Sequence, residues 1–435
     1  MTPFMALGLF ILVFLIASIA FKVPMAFTMG LVCIFMIIFT GQPPMIMAST
    51  AFAALDSFPF LAIPFFVFAG SLMQYSGIST SLVNFIQSIV GRVRGSIGAI
   101  TVLACAAFGV LTGSTLATLS SIGKVMVPEL VKRGYKKDYA SALAASSSFL
   151  GILIPPSVPG IFYALAAGQN IANVWLSTIG PAILIAAGYI TLNYFIVGRH
   201  EKKNEEPFKL NKYFRNIGSQ GKSAFAALIM PIIIFGGIYG GIFTPTEAGA
   251  VCAVYGVIFL LIKQFRGGGV ERNLWQITTE SATLTAVIAL SISFSTGAGK
   301  MLTMTGVSNA LSQFLSSNVQ SPLVFLLMCN ILFLFMGMLV DINITVLIMT
   351  PILIPSVQAY GINLIHFGAM MLVNLCVGYL TPPMAGAVFH ICRLVGGSFI
   401  DVVKRTWPFL LVGLTVVALT TLFPVLSTIF ILGLR

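Results

Sequence analysis

The sequence predicts an all-α protein that crosses a membrane many times and consists of two related halves. Of its 435 residues, 58% are hydrophobic and 8% are charged, and the mean hydropathy is +1.03. Values this high lie outside the range of soluble domains. Double prolines interrupt two long apolar segments, in GILIPPS (Gly151–Ser157) and GYLTPPM (Gly378–Met384). Because broken backbone at membrane depth survives only inside protein or beside a polar cavity, the two interruptions indicate a transport site.

A weak internal repeat relates the two halves. A shift of 227 residues carries the first double proline onto the second. The same shift, or one a residue longer, pairs Pro128 with Pro355, Gly151 with Gly378, Pro181 with Pro408, and Gly109 with Gly337. Many secondary transporters have such symmetry. We therefore predict a first repeat at 1–198, a linker at 199–222 and a second repeat at 223–435.

Composition also excludes several classes of protein. The net charge of +12 comes from short basic runs between apolar segments, without a nucleic-acid-binding motif, so these runs are interpreted as topology signals. The six cysteines lie in apolar stretches and lack metal-ligand spacing, which predicts reduced, packed thiols. No basic residue precedes the first apolar segment, so Met1–Phe21 is predicted to be a membrane helix and not a cleaved signal peptide.

The first repeat is predicted from apolar runs, helical spacing and proline breaks. Its amphipathic stretch has apolar residues at helical intervals, and its hairpin centre, Gly109–Ser121, is rich in Gly, Ser and Thr. The predicted elements are helices at about Phe4–Phe21, Pro24–Thr40 and Phe58–Tyr75, an interfacial amphipathic helix at Ser79–Arg94, a re-entrant hairpin at about 97–128, a broken helix at about 138–168, and a helix at Trp175–Val197.

The second repeat follows the same plan after the polar linker. Its hairpin centre, GMLVDINITVL (Gly337–Leu347), is again polar between apolar flanks. The predicted elements are helices at about Ala224–Gly241, Pro245–Ile262 and Ile277–Thr296, an amphipathic stretch at Val307–Leu315, a re-entrant hairpin at about 322–355, a broken helix at about 364–393, and a last helix at Trp407–Leu432.

The basic residues predict the orientation. If the linker at 199–222 lies in the cytoplasm, nearly all other basic residues do so too, and only Lys300 and Arg435 fall clearly outside. The first hairpin then enters from the cytoplasm and the second from outside. The two repeats are therefore predicted to be inverted relative to each other.

The centres of the two hairpins carry the candidate binding residues. They are Gly113, Ser114, Thr115 and Thr118 at the first tip, and Asp341, Asn343 and Thr345 at the second. Hydroxyl, amide and carbonyl oxygens suit a hard monovalent cation, and helix N-termini offer donors to an anion. The alternative is that these side chains only pack helices or cap turns.

Three charged residues have two interpretations each. A carboxylate inside an apolar segment is costly, so Asp341 indicates either sodium coordination or a water-exposed turn. Glu247, three residues after Thr244, fits a capping box as well as a transport role. Arg393 follows the second break and could contact a substrate carboxylate or anchor the helix on the cytoplasmic side.

Together, the two tips and the breaks GILIPPS and GYLTPP resemble the large membrane subunit of tripartite ATP-independent periplasmic (TRAP) transporters, the DctM-like family. The resemblance covers essentially the whole chain. It implies a sodium-driven, elevator-type importer in the bacterial inner membrane, not an enzyme. It also implies two partners, a small four-helix membrane subunit and a soluble periplasmic substrate-binding protein. Because the chain starts with a helix of the large subunit, we expect the small subunit to be a separate chain.

The resemblance also implies site roles. One sodium ion would lie between Ser114 and Thr115 and the carbonyls around Gly151 and Pro155; the second would lie between Asp341 and Asn343 and the residues Gly378, Thr381 and Met384. The substrate-binding residues implied are Gly113, Thr118, Ser157, Thr345, Asn374 and Arg393. Sialic acid, C4-dicarboxylates, 2-oxo acids and sulfonates all remain open as substrates.

The alternative is a stand-alone sodium/dicarboxylate symporter of similar architecture, which would need no binding protein. A channel or a membrane-embedded enzyme is disfavoured, because the sequence has no pore-ring repeat and no nucleophile with a matching base.

Overall fold

The computed structural model describes residues 2–21, 23–90, 95–197, 210–266 and 272–432. Within these ranges every regular element is a helix. The first half consists of α1 Pro3–Leu15 with a π-helical extension Ile16–Ala20, α2 Met25–Thr40, α3 Pro44–Leu55, a 3₁₀ turn Phe58–Leu61 leading into α4 Ala62–Tyr75, α5 Ile78–Val90, α6 Ser96–Thr112, α7 Thr115–Thr118, a π-helical turn Leu119–Gly123, α8 Lys124–Lys132, α9 Lys137–Ser148, α10 Leu150–Leu153, α11 Val158–Ala167 and α12 Ile171–Ile196.

The second half is built of longer helices. They are α13 Leu210–Tyr239, α14 Pro245–Phe265, α15 Leu274–Met304, α16 Val307–Asn318, α17 Pro322–Leu339, α18 Ile342–Ala359, α19 Leu364–Gly378, α20 Gly386–Val395, α21 Phe399–Leu422 and α22 Val425–Leu432. Both predicted hairpins are helix–break–helix units, and both predicted broken helices are interrupted at their double prolines.

Seven helices in the described ranges are long and apolar enough to cross a membrane: 58–75, α12, α14, α15, α17, α18 and α21. The pair formed by 137–153 and α11 also passes this test as one span bent by 42°. The prediction of an all-α, polytopic membrane protein is confirmed. The re-entrant course of the hairpins and the inversion of the repeats stay predictions.

Helix α3 was missed by the sequence analysis. No element was predicted between Thr40 and Phe58, where Pro44 occupies the first turn of α3. Proline is tolerated there because the N–H group at that position has no helical partner. With 12 residues, α3 is also too short for a span-length criterion.

The helix predicted to start at about Ala224 begins earlier and includes residues 210–222 of the predicted linker. Helix α13 begins at Leu210 and runs for 30 residues, while 198–209 lie outside the described residues. The apolar segment was predicted to start where the polar residues stop. Lys, Arg and Gln are good helix formers, however, so a helix can continue through a polar stretch. Helix α15 also extends beyond its predicted bounds, to Leu274 at one end and to Met304 at the other.

The predicted last helix, Trp407–Leu432, is two helices. Helix α21 starts at Phe399, where the hydroxyl of Ser398 accepts a hydrogen bond from the amide of Asp401, 3.4 Å away. It ends at Leu422, and α22 begins after Pro424. Proline removes an N–H donor and clashes with the preceding turn, which accounts for the break.

Two groups of helices meet at α15 and also at α6 of the first hairpin, which packs against α4 and α5. The hairpins and broken helices form one group, in which α6 packs against α9, α10 and α12, and α17 packs against α19. In the other group α4 packs against α14, α5 against α13, and α15 against α2, α3 and α4. Because α15 also packs against α18 of the first group, the second hairpin lies at the boundary between them.

Candidate functional site

The first hairpin tip is held by backbone contacts. Helix α6 ends at Gly113, which has a φ of +58° and whose amide donates to the carbonyl of Gly109 at 2.7 Å. A Cβ atom on Gly113 would lie 2.4 Å from the carbonyl oxygen of Pro156. Only glycine therefore allows this tip to contact the first double proline.

Glycine pairs join each hairpin to its broken helix. A Cβ atom on Gly109 would lie 2.3 Å from the Cα of Gly151. In the second half, a Cβ atom on Gly337 would lie 3.1 Å from the Cα of Gly378 and 2.9 Å from the carbonyl oxygen of Leu375. These are the four glycines that the internal repeat paired between the halves, so the same contact occurs in each half.

The break of the first half begins a new helix. The peptide bond Pro155–Pro156 is cis, as is Pro382–Pro383 in the second half. The hydroxyl of Ser157 caps α11 by accepting from the amide of Gly160 at 3.2 Å, and its carbonyl accepts from the indole of Trp175 at 3.0 Å. Ser157 is buried, and its hydroxyl already serves as the cap of α11.

The second hairpin tip is capped by Asp341. Its carboxylate accepts from the amide of Asn343 at 2.9 Å, and its carbonyl accepts from the hydroxyl of Thr345 at 3.0 Å. The side chain is also exposed, at the edge of an apolar crevice between α2, α15 and α18. The capping role is therefore established, and sodium coordination by Asp341 stays a prediction.

Each tip has one buried side-chain oxygen without a hydrogen bond. These are Oγ1 of Thr115 and Oδ1 of Asn343, which find no partner within the part of the chain that the structure describes. A buried polar atom without a partner is costly and requires an explanation such as a bound ion. Hydroxyl and amide oxygens are ligands that hard cations accept.

A cavity of about 420 Å³, here called the tip cavity, lies between the two tips. Gly113 and Ser114 of the first tip and Asn343 of the second line it. Its other polar lining residues are Ser71, Gln74 and Tyr75 of α4, Thr112 of α6, Ser120 after α7, Glu280 of α15 and His390 of α20. The volume fits a small organic molecule.

The polar residues that α4 and α15 contribute to the tip cavity were not predicted from the sequence. The carboxylate of Glu280 accepts from the hydroxyl of Tyr75 at 2.9 Å and forms an ion pair with Arg272. The guanidinium of Arg272 also lies 4.6 Å from the centre of the Tyr75 ring. Glu280 is thereby neutralised beside the cavity. A carboxylate in a span-length segment was the one available signal for it.

His390 links the two halves across the tip cavity. Its Nε2 lies 2.8 Å from the hydroxyl of Ser120, which follows the first tip. Helix α20 therefore reaches the first hairpin, although it belongs to the second half of the chain. The spacing of the sequence gave no indication of this contact, because it joins residues 270 positions apart.

Two predicted site residues have other partners. The amide of Asn374 donates to the carbonyl of Asn330 at 2.9 Å and to its side-chain oxygen at 2.8 Å, so it joins α17 to α19. The hydroxyl of Thr118 lies 3.2 Å from that of Thr112 and packs against Gly151. Neither residue lines the tip cavity.

Three more predicted site residues lie away from the tip cavity. The hydroxyl of Thr381 donates to the carbonyl of Val377 at 3.1 Å, and Met384 is exposed. Arg393 is exposed in the last turn of α20, with its guanidinium 5.8 Å from the Phe389 ring centre. The structure thus brings Gly113, Ser114 and Asn343 together and leaves Arg393 outside.

Comparison with known proteins places the chain in a family. Residues 12–426 match the model of the DctM component of the tripartite ATP-independent periplasmic transporters. The chain belongs to this DctM family. The prediction of a TRAP large permease component is confirmed, and a transporter rather than an enzyme is confirmed with it.

Named relatives of this DctM-family chain differ in length. It is 32% identical over 414 residues to the isethionate TRAP transporter permease protein DctMQ of Oleidesulfovibrio alaskensis, covering 94% of this chain and 64% of that protein, which is less than two thirds of its length. It is 32% identical over 407 residues to the sialic acid TRAP transporter large permease protein SiaM of Vibrio cholerae, covering 92% and 93%.

The solved structure of MtrF from Neisseria gonorrhoeae shares the fold. It aligns with a TM-score of 0.61 at 12% identity, covering 87% of this chain and 83% of that chain. At this identity the likeness concerns the architecture alone.

Proposed function

We propose that this chain is the permease subunit of a sodium-driven tripartite transporter that imports an organic acid anion across the bacterial inner membrane. The observation that carries the proposal is the tip cavity, which residues of both hairpin tips line. Each tip also has a buried oxygen without a partner among the described residues, on Asn343 in the cavity lining and on Thr115 next to Ser114. Family membership supports a small membrane subunit and a periplasmic binding protein as partners.

The substrate class follows from the cavity and the relatives. Two relatives are named for isethionate, a sulfonate, and for sialic acid, a carboxylate. The N-terminal residues of α11, Val158 and Pro159, line the tip cavity, as does Asn343 at the start of α18. The partial positive charge of the α11 N-terminus favours an anion. The amides of Gly160 and Asn343 are themselves bound by the caps Ser157 and Asp341.

Sodium is proposed as the co-transported ion. The residues fit it, because Thr115 and Asn343 offer oxygen ligands and, among the described residues, no group of three or more His, Cys, Asp or Glu competes for a transition metal. Further ligands proposed for the first ion are Ser114 and the carbonyls near Gly151 and Pro155; for the second they are Asp341 and the residues Gly378, Thr381 and Met384.

Sodium and anion would be coupled through the tips. An ion that binds Thr115 or Asn343 stabilises one arrangement of its tip, and the same tip lines the substrate cavity. A ligand shifts a conformational equilibrium only through its difference in affinity for the two states. Ordering of the tips by sodium would therefore raise the affinity for the anion, and the anion would raise the affinity for sodium equally.

Thr115→Val tests the first sodium site. Valine is nearly isosteric and removes a buried hydroxyl that has no partner, so the sodium-free protein should be as stable as the parent or more so. If the hydroxyl binds sodium, the sodium concentration for half-maximal thermal stabilisation should rise about tenfold. The measurement is the melting temperature of the purified protein during a sodium titration at constant ionic strength.

Two variants complete this test. Thr115→Ser retains the hydroxyl and should retain the sodium response. Thr415→Val changes an exposed threonine of α21 and should have no effect. An unchanged sodium titration for Thr115→Val would remove this residue from the site.

A further inference from the structure

A second cavity lies on the other side of the second hairpin tip. It has a volume of about 460 Å³ and is formed by α3, α11, α15 and α18. We call it the lysine cavity, because Lys300 is the only ionisable residue that lines it among those the structure describes. Its polar lining residues besides Lys300 are Thr50, Ser57, Thr296 and Thr303.

Lys300 is exposed, so a ligand can reach its ammonium from solvent. Within the described residues, Lys300 takes part in no recorded hydrogen bond or ion pair, and no carboxylate lines the cavity. Thr296 and Thr303 precede and follow it by four and three residues on α15, so all three side chains project from one face of the helix. One positive charge is thus combined with neighbouring hydroxyl groups.

The remaining walls are apolar. Phe162, Leu165 and Ala166 of α11 and Leu347 of α18 face the cavity. An organic acid has an anionic group and a carbon skeleton, and this lining offers a partner for each. A small inorganic cation would find no negative charge here.

Helix α15 lines both cavities. Glu280, Leu284 and Ile288 line the tip cavity, and Ile292, Thr296 and Lys300 continue at the same four-residue interval in the lysine cavity. Because each step of four residues turns about 40° around the helix axis, this row winds around α15, and Lys300 lies on the side of the helix opposite Glu280. The two cavities are therefore connected by an inclined row of side chains and not by a single helix face.

The apolar crevice beside Asp341 adjoins both cavities. It shares Phe162, Ile292 and Leu347 with the lysine cavity, and Ile288 and Asn343 with the tip cavity. Phe162, Ile292 and Leu347 are 1%, 4% and 6% exposed. The crevice therefore lies between the two cavities, beside the second tip.

We propose that the lysine cavity is a second organic-anion site of the transport path, with Lys300 as the residue that binds the carboxylate or sulfonate. The inference rests on the proposed function, since it concerns the same substrate. In the orientation that the charge pattern predicts, Lys300 lies on the outer side. The site would hold the anion there before it reaches the tip cavity.

The first test measures the charge preference of the cavity and is independent of transport. Thr303→Cys places a reporter thiol in the lining, and labelling is followed with an anionic and a cationic methanethiosulfonate, the 2-sulfonatoethyl and 2-trimethylammonioethyl reagents. Five of the six native cysteines are buried and the sixth is partly buried, so their background should be low; the parent measures it. The reconstituted complex with the small subunit is used.

Removing the charge should change this preference. Adding Lys300→Gln should lower the ratio of anionic to cationic labelling rates about fivefold at low salt, because one unit charge nearby is lost. Lys404→Gln, a matched change of an exposed lysine on α21, should leave the ratio unchanged. An equal ratio with and without Lys300 would overturn the proposal.

The second test asks whether organic acids occupy the cavity. Isethionate and sialic acid serve as probes, and chloride at equal ionic strength is the control. In the Thr303→Cys variant, either acid should protect the thiol from labelling. This protection should be lost when Lys300→Gln is added and restored when Lys300→Arg is added instead. Protection by neither acid, or protection that persists without Lys300, would contradict it.

Uptake measurements separate this inference from the proposed function. Lys300→Gln should raise KM about fivefold to tenfold with little change in kcat, because it removes binding outside the tip cavity. If the parent imports an anion and Lys300→Gln has an unaltered KM, the second site is wrong and the proposed function stands. If the parent imports none, the labelling tests still decide whether the cavity selects anions.

Discussion

Alanine at Gly109 is expected to reduce transport to less than about a tenth of the parent rate and to destabilise the protein by about 1–3 kcal/mol. The added Cβ would lie 2.3 Å from the Cα of Gly151, and backbone atoms cannot move aside as a flexible side chain can. The first hairpin would be pushed away from its broken helix. Uptake by the reconstituted complex and the melting temperature of the purified protein measure the two effects.

Related glycine variants grade this effect. Gly337→Ala creates milder contacts in the second half, 2.9 Å to the carbonyl oxygen of Leu375 and 3.1 Å to the Cα of Gly378, so a smaller loss is expected. Gly236→Ala lies in α13, where a Cβ atom would meet nothing within 4 Å, and it should behave as the parent. Full activity of Gly109→Ala would show that the close contact is not required.

Substitutions of Asp341 are expected to separate its two roles. Asn keeps an oxygen that can accept from the amide of Asn343 but removes the charge, whereas Ala removes both. If the carboxylate binds sodium, Asp341→Asn should raise the half-saturating sodium concentration about tenfold or more, at nearly unchanged sodium-free stability. Asp341→Ala should add a stability loss of about 1 kcal/mol from the missing cap.

The pattern across both variants decides the assignment. Sodium-dependent uptake and sodium-dependent melting are measured for each variant. Asp401→Asn, which changes an exposed aspartate of α21, is the control for loss of a carboxylate. Asp341→Asn with a normal sodium response and Asp341→Ala with only a stability loss would mean that Asp341 is a cap and no sodium ligand.

The hairpin tips and breaks were predictable because their signals are local. Prolines must interrupt a helix, and Gly113 and the glycines paired by the repeat mark places where backbones approach closely. Composition was sufficient for the fold class. Helix α3 escaped because Pro44 begins a helix instead of ending one, and the start of α13 escaped because polarity was equated with a loop.

Most of the tip cavity could not be predicted, because it depends on distant pairs. Ser120 contacts His390, and Tyr75 contacts Glu280. The members of each pair are 270 and 205 residues apart, so a periodic pattern in the sequence cannot indicate these contacts. Asn374 looked like a polar site residue at its position before the second break, but its amide is bound to Asn330 of the neighbouring helix. A polar residue in an apolar helix marks an unusual contact without specifying whether a ligand or another helix supplies it.

Uptake in proteoliposomes tests the central claim most directly. This chain, its small subunit and the binding protein are reconstituted, and labelled isethionate and sialic acid, followed by dicarboxylates and 2-oxo acids, are supplied with or without an inward sodium gradient. The account predicts accumulation of one of these acids only when both the sodium gradient and the binding protein are present. Sodium-driven uptake that needs no binding protein would instead indicate the stand-alone symporter. Uptake of the same size with and without the sodium gradient would contradict sodium coupling.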